Sequence, residues 1–301
     1  MKRSAFTLIE LLVVIAVVTI LATMLLVAVN RARETARRNQ CLVQQRDLVM
    51  AMVTYDKEYN GLPGSLNQLG TTPIHSWAVA IFPMIGEKKR YDFLIKDSSD
   101  TSAIVPLPAL LCPSDKPEGN ARLNYVVNCG PAAALFQGAS FPPGKNSGDV
   151  APAFTLFKDR RDTLTSLNLN TKVKIEDIPD GASYTILLSE NVDAGVWHAD
   201  WTTSPPNELG VSLPLLSIST VFTRDSKVVG NLGFIWGKNS NFAPNSPVSE
   251  PRPSSKHPGA VNVGYADGSA KPMNDDIDLT EYLRAVCPDD AKANGLGLLS
   301  L

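Results

Sequence analysis

The sequence predicts an α+β protein: one long N-terminal hydrophobic helix packed on a loop-rich, mainly antiparallel β head. Three observations predict it. Phe6 to Val29 is an apolar run whose single charge is Glu10. All 22 Pro and all 20 Gly lie beyond residue 60, so the first sixty residues lack both strong helix breakers. Beyond that point, short stretches rich in β-branched and aromatic residues alternate with Pro-rich segments.

The N-terminal element comes first. A helix rises about 1.5 Å per residue and needs roughly 20 apolar residues to cross the hydrocarbon core of a bilayer. Residues 6–29 reach that length and read as a transmembrane helix. The run is longer than a signal-peptide core, and Asn30, Arg31, Ala32 and Arg33 follow it with no small-residue cleavage site. From Asn30 onward Cys41, Leu42, Leu48, Val49, Met52, Val53, Tyr55 and Tyr59 recur at three- and four-residue steps, so residues 30–60 continue the helix as an amphipathic stalk. Asn60-Gly61 followed by Pro63 stops it, with Gly suited to the left-handed position after the last turn. Glu10 stands out, because a carboxylate at a bilayer centre costs roughly 3 kcal/mol and calls for a cation.

Charge narrows the partners. The 301 residues carry a net charge of -2, which gives no support to nucleic-acid binding. Through Asn60 there are eight Lys or Arg against five Asp or Glu, and from Gly61 onward twenty against twenty-five. The basic collar Arg31, Arg33, Arg37 and Arg38 suits contact with lipid headgroups. Two cations before the span and four after it would, by the positive-inside rule alone, favour a cytoplasmic head. Cys41, Cys112, Cys129 and Cys287 contain no C-x-x-C pair, so no zinc ribbon or thioredoxin-like site is indicated. They permit disulfides in three pairings or free buried thiols; Cys112 with Cys129, the closest in sequence, is the preferred pair.

In the head, residues 61–301, Ser76 to Ile85 reads as a short helix interrupted by Pro83, and Ser98 to Pro108 as a loop. Candidate strands are Leu123 to Cys129, Thr185 to Ser189, Ser217 to Thr223, Val228 to Trp236 and Ala260 to Ala266. Phe141 to Lys145, Ser204 to Asn207 and Pro244 to Pro253 read as loops. Asp278-Leu279-Thr280-Glu281 is a capping box opening a short helix that ends before Pro288.

The chemistry-bearing patterns are few. Val261, Val263 and Tyr265 alternate with small or polar residues ahead of Asp267-Gly268, which reads as a β-hairpin closed by a type I′ turn. His257 sits at the mouth of its first strand. His257 and Asp267 facing each other across the ladder would bind a metal or act as acid and base; the structural alternative has His257 capping a loop while Asp267 and Gly268 fix the turn. Asp275, Asp276 and Asp278 offer hard oxygens to Ca²⁺, but EF-hand spacing and its Gly are missing, which favours a solvated turn and helix cap over a bound ion. There is no G-x-S-x-G elbow and no H-E-x-x-H helix, and Gly138 to Lys145 departs from a phosphate loop. The chain therefore reads as non-enzymatic. His75 and His198 stand apart in sequence, and Trp197, Trp201 and Trp236 are either core or a platform for sugar.

Lys2-Arg3-Ser4-Ala5-Phe6-Thr7-Leu8-Ile9-Glu10-Leu11 resembles the prepilin leader of type IV pilins and type II secretion pseudopilins. By that resemblance residues 1–5 are a leader, Ala5 precedes the cut, and Phe6 is the new, N-methylated first residue. Glu10 is the family's fifth-position glutamate, matched in an assembly by the Phe6 amine of a neighbour. The family usually has Gly where Ala5 stands. His257, nine residues and then Asp267-Gly268 resemble the C-terminal signature of pilin-like proteins whose head is a domain of unknown function. Leu111-Cys112-Pro113-Ser114-Asp115, followed by Asn124-Tyr125, is similar to that family's Cys-Pro-Ser-Asp segment. Residues Asp180 to Glu190 resemble its Asp-Gly-Thr-Ser-Asn-Thr-Ile stretch ending in Glu, with departures at Ala182 and Tyr184.

The resemblance implies a pilin-like structural subunit processed by a prepilin peptidase and methylase, with copies of itself or other pilin-like subunits and the lipid bilayer as partners. It also implies a single pass through the inner membrane, the N-terminus cytoplasmic and the head periplasmic or extracellular, on a filament or pseudopilus; this overrides the charge rule. The alternative is a membrane-anchored surface module whose head binds a polysaccharide or protein without polymerising. No cofactor is required by either reading.

Overall fold

A computed structural model describes residues 8–64, 66–69, 74–96, 104–115, 122–128, 172–192, 194, 197, 255–274 and 277–291. Helix α1, Leu8–Tyr59, runs unbroken for 52 residues, or roughly 80 Å at 1.5 Å per residue. Its two halves meet different surroundings. Every residue from 8 to 33 is exposed, and among the described residues α1 is the one helix long and apolar enough to cross a membrane. In the second half Cys41, Gln45, Leu48, Val49, Met52 and Tyr55 are buried, a stripe with helical spacing that faces the head.

The helix ends as the sequence predicts, with one exchange of roles. Asn60 takes the left-handed conformation, φ 58°, and Gly61 follows at φ 142°. Asn tolerates that region because its short polar side chain bonds locally. Residues 172–175 then strap the helix end: Lys172 donates to the Tyr59 carbonyl, Leu62 N to Val173 O at 2.8 Å, and Ile175 N to the Asp56 carboxylate at 3.3 Å.

The head begins with a small antiparallel pair, β1 (Leu66–Gln68) and β2 (Ile74–Ser76), which the sequence reading did not single out. Helix α2 (Trp77–Ala80) gives way to a 3₁₀ turn, Phe82–Ile85, where Pro83 interrupts the helix as expected. Helix α3 (Lys88–Lys96) follows. The main sheet is antiparallel throughout, in the order β3 (Tyr125–Val127), β4 (Ile186–Glu190), β5 (Ala260–Tyr265), β6 (Ala270–Asn274). Three of the five expected strands are therefore present; residues 217–223 and 228–236 lie outside the described residues. Pro272 sits in β6, at the edge of this sheet, where a missing N–H is tolerated. Helix α4, Leu279–Val286, starts where the capping box predicts, with Asp278 accepting from Glu281 N at 3.4 Å.

The core lies between the buried stripe of α1 and this sheet. Leu48, Val49, Met52 and Tyr55 join Trp77, Phe82, Tyr125, Leu187, Leu188 and Trp197 in one cluster, and each large side chain fully withdrawn from water contributes about 1.5–3 kcal/mol. Trp197 meets Phe82 edge-on at 5.3 Å, so it belongs to the core and not to a sugar platform; Trp201 and Trp236 lie outside the described residues. His75 is buried in β2, and His198 is outside the described residues.

The β5–β6 hairpin is present, but its turn differs from the expected type I′. Gly268 N donates to Tyr265 O at 3.0 Å and Tyr265 N to Ser269 O at 2.8 Å, which makes a three-residue loop, Ala266-Asp267-Gly268. Only Gly268 has positive φ, 89°, whereas a type I′ turn would require it at Asp267 too. The Asp267 carboxylate instead accepts from Ser269 N at 2.8 Å. A Cβ at Gly268 would meet Met50 Sδ of α1 at 2.6 Å, the far end of an exposed, flexible side chain that can move aside, so it is the turn geometry that calls for glycine there. At Gly264 of β5 a Cβ would strike Val49. Gly264 lets the helix lie directly on the hairpin.

Candidate functional site

Glu34, Cys41 and Gln45 occupy one face of α1 at spacings of seven and four, just below its exposed half. That face meets three pieces of the head: the Cys112–Asp115 turn, the end of β4 at Glu190, and the entry to β5 at His257. Cys41 and Cys112 form a disulfide with Cα atoms 5.5 Å apart. The expected Cys112–Cys129 pair is thus replaced. Closeness in sequence favoured it, but the buried stripe of α1 delivers Cys41 to the turn from 71 residues away; Cys129 lies outside the described residues.

His257 is the centre of the arrangement, and its side chain is fully buried. Its Nδ1 lies 2.7 Å from Glu34 Oε1, and its Nε2 lies 3.5 Å from Glu190 Oε1 and 3.4 Å from Cys112 Sγ. Burial alone would push the imidazole down, but the hydrogen bonds and charges of Glu190 and Glu34 outweigh it and hold His257 above its ordinary value. Glu34 responds in the opposite sense. Burial raises it, yet bonds from His257, Ser114 and Arg37 prevail and keep its carboxyl below the usual range. The two carboxylates thus favour the charged form of the ring.

The surrounding groups fix these side chains. Glu190 is 1% exposed and accepts from Asn262 N at 3.1 Å and Asn262 Nδ2 at 2.9 Å. Asn124 Oδ1 accepts from Cys112 N at 2.9 Å, and its amide donates to Asp115 at 2.6 Å, which closes the Cys-Pro-Ser-Asp turn. Gln44 Nε2 donates to Pro108 O and Gln44 Oε1 accepts from the Tyr125 hydroxyl, while Gln45 Nε2 donates to Asn262 O at 2.9 Å. Helix and head are therefore joined by one covalent bond, one ionic cluster and several side-chain hydrogen bonds.

The structure brings His257, Cys112 and Asp115 together and leaves the other marked residues apart. Asp267 and Gly268 sit at the far end of the hairpin from His257, with the six residues of β5, roughly 20 Å of strand, between them, so the two do not face each other across the ladder. Glu10 lies in the exposed half of α1. Ala5, Phe6, Asp275 and Asp276 are outside the described residues, and Asp278 is occupied as the cap of α4. A second cluster, Asp180, Cys287 and Asp290, lies behind α4; burial pushes the Cys287 thiol up to about 12, which leaves it unreactive. Sequence reasoning missed Glu34, Cys41 and Asn262 as site residues. The available signal was Glu34, the one carboxylate inside the basic collar, placed two helical turns before Cys41.

An apolar helix that projects from an antiparallel sheet and is clamped to it over its second half defines a helix-anchored, pilin-like protein. Residues 1–26 match the prokaryotic N-terminal methylation motif. Residues 30–280 match the family described as proteins of unknown function (DUF1559), and the chain belongs to that family. No curated protein and no solved structure matches it.

Proposed function

We propose that the chain is a pilin-like or pseudopilin-like subunit that assembles through the first half of α1. A prepilin peptidase removes residues 1–5, cutting between Ala5 and Phe6, and the new amine is methylated. Residues 6–29 hold the subunit in the inner membrane in a single pass, with the N-terminus cytoplasmic and the head periplasmic or at the cell surface; residues 30–60 form the stalk and 61–301 the head. In the polymer, with copies of itself or other pilin-like subunits, the Phe6 amine of one subunit neutralises Glu10 of the next, which offsets the cost of holding a carboxylate in lipid.

The observation that carries this reading is the exposed half of α1. From Leu8 to Val29 large apolar side chains point outward on all sides, Leu8 at 82% and Leu26 at 64% exposure, with no partner surface in the described residues of the chain. Lipid covers such a rod before assembly and neighbouring helices cover it afterwards. Mass spectrometry of the membrane-extracted protein tests the processing: an N-terminal methyl-Phe6 is expected, and a chain that retains Met1 beside an active peptidase overturns it. Glu10→Ala is expected to insert normally and to be lost from filaments. Correct processing with no incorporation of the wild type into any fibre would leave an anchored surface module.

A further inference from the structure

The side chains around the disulfide exceed what a disulfide needs. Cys41, Cys112, Glu190 and His257 are all buried, at 0%, 4%, 1% and 4% exposure, and come from four different segments. A cystine requires no ionisable neighbour, yet a carboxylate and an imidazole are held against this one at the cost of their hydration. One ligand atom from each residue lies within 4.8 Å of all the others. Two of the separations, 3.4 Å from His257 Nε2 to Cys112 Sγ and 3.5 Å from Nε2 to Glu190 Oε1, already fall in the roughly 3.3–3.8 Å that ligands span around tetrahedral zinc.

The outer partners have the arrangement of a metal centre. Glu34 Oε1 at 2.7 Å accepts from His257 Nδ1–H, which leaves Nε2 as the ligand atom and aims it at the sulfurs. Asn262 orients Glu190 with two hydrogen bonds, and Asn124 fixes the Cys112 backbone. The Tyr125 hydroxyl, which donates to Gln44 Oε1 at 3.1 Å, also lies 3.8 Å from Cys41 Sγ, close enough to turn its proton to a thiolate there.

We propose that in its dithiol form, the form in which the chain is synthesised, Cys41, Cys112, His257 and Glu190 bind one Zn²⁺ that clamps the stalk to the head until the cysteines are oxidised. Two soft thiolates, an imidazole and one carboxylate select zinc over magnesium or calcium, and four protein ligands close the coordination sphere, which marks the site as structural. Binding releases the two thiol protons and requires Nε2 in its unprotonated form. Oxidation by a disulfide of the thiol-oxidant class moves two electrons from the thiolate pair to the oxidant, whose two thiolates take their protons from solvent; the Cys41–Cys112 bond forms, the oxidant's disulfide breaks and the metal is expelled. One clamp then replaces the other at the same place.

The test uses the full chain in detergent micelles, stripped of metal and treated with a water-soluble phosphine, which takes an oxygen from water as the two thiols form. Titration with Co²⁺ is expected to give the visible bands of a tetrahedral thiolate site, saturating at one ion per chain and abolished by one equivalent of Zn²⁺. The oxidised chain is expected to give none. Glu34→Gln, which alters a positioning residue, is expected to keep the spectrum and weaken Co²⁺ binding about 10–100-fold. The proposal fails if the reduced chain shows only octahedral Co²⁺, or if the tetrahedral bands also appear in the oxidised wild type or survive in Cys41→Ser, since the metal would then sit on other thiols.

Discussion

Removing the Cys41–Cys112 bond provides a quantitative test of the clamp. The bond closes a loop of 71 residues, and chain entropy assigns to a loop of that size about 4.4 kcal/mol of stabilisation, acting through the unfolded state. Against a typical total of about 5–15 kcal/mol this is a large share. At about 2–4 °C per kcal/mol for a domain of this size, the melting temperature is expected to fall by roughly 9–18 °C. Because either cysteine alone leaves the loop open, Cys41→Ala, Cys112→Ala and the double variant are expected to lose nearly the same amount. Thermal melts followed by fluorescence of the buried Trp77 and Trp197, with a chelator present so that no metal substitutes for the bond, read this directly. A shift below about 2 °C, or additive losses from the two single variants, would refute the loop-closure reasoning.

Three further outcomes are expected. Gly264→Ala places a methyl group against Val49 and is expected to cost about 1–3 kcal/mol in urea unfolding; an unchanged midpoint would show that the helix does not rest on β5. Asn262→Ala strips the side-chain donor from the buried Glu190 carboxylate and is expected to cost about 1–3 kcal/mol by the same measurement. Burial and the neighbouring Asp180 raise Asp290 above the ordinary aspartate value, with Arg284 opposing. The folded chain therefore keeps a proton that the unfolded chain has lost, and stability falls as pH rises from about 3.8 through the raised value. Asp290→Asn is expected to melt together with the wild type at the acid end and above it once that window is passed; parallel melting curves across pH would overturn the assignment.

Much of this fold was legible because it rests on local rules. The unbroken α1, the stop at Asn60, the interruption at Pro83, the cap at Asp278 and three strands of the main sheet each follow from a few adjacent residues. The site was less legible. His257 and Cys112 were marked as signature residues, but what they do depends on Glu34 and Cys41, whose partners are 223 and 71 residues away. Register across a packed helix decides such pairings, and sequence distance misleads, as the replaced Cys112–Cys129 pair shows. The turn at Asp267 was misread for a different reason. An Asp-Gly pair fits a two-residue loop as readily as the last two positions of a three-residue one, and the docking of the loop on Ala182 and Thr185 accompanies the longer form.

The continuity of α1 has a mechanical consequence. With its lower half bonded to the head and no Gly or Pro before residue 61, the helix has no joint between membrane and sheet, so the azimuth of the head is locked to the phase of the rod. Each residue adds about 100° of rotation and 1.5 Å of lift. One alanine inserted near residue 31 would swing the head by roughly a quarter turn, whereas seven would raise it about 10 Å and return it to within about 20° of its original bearing.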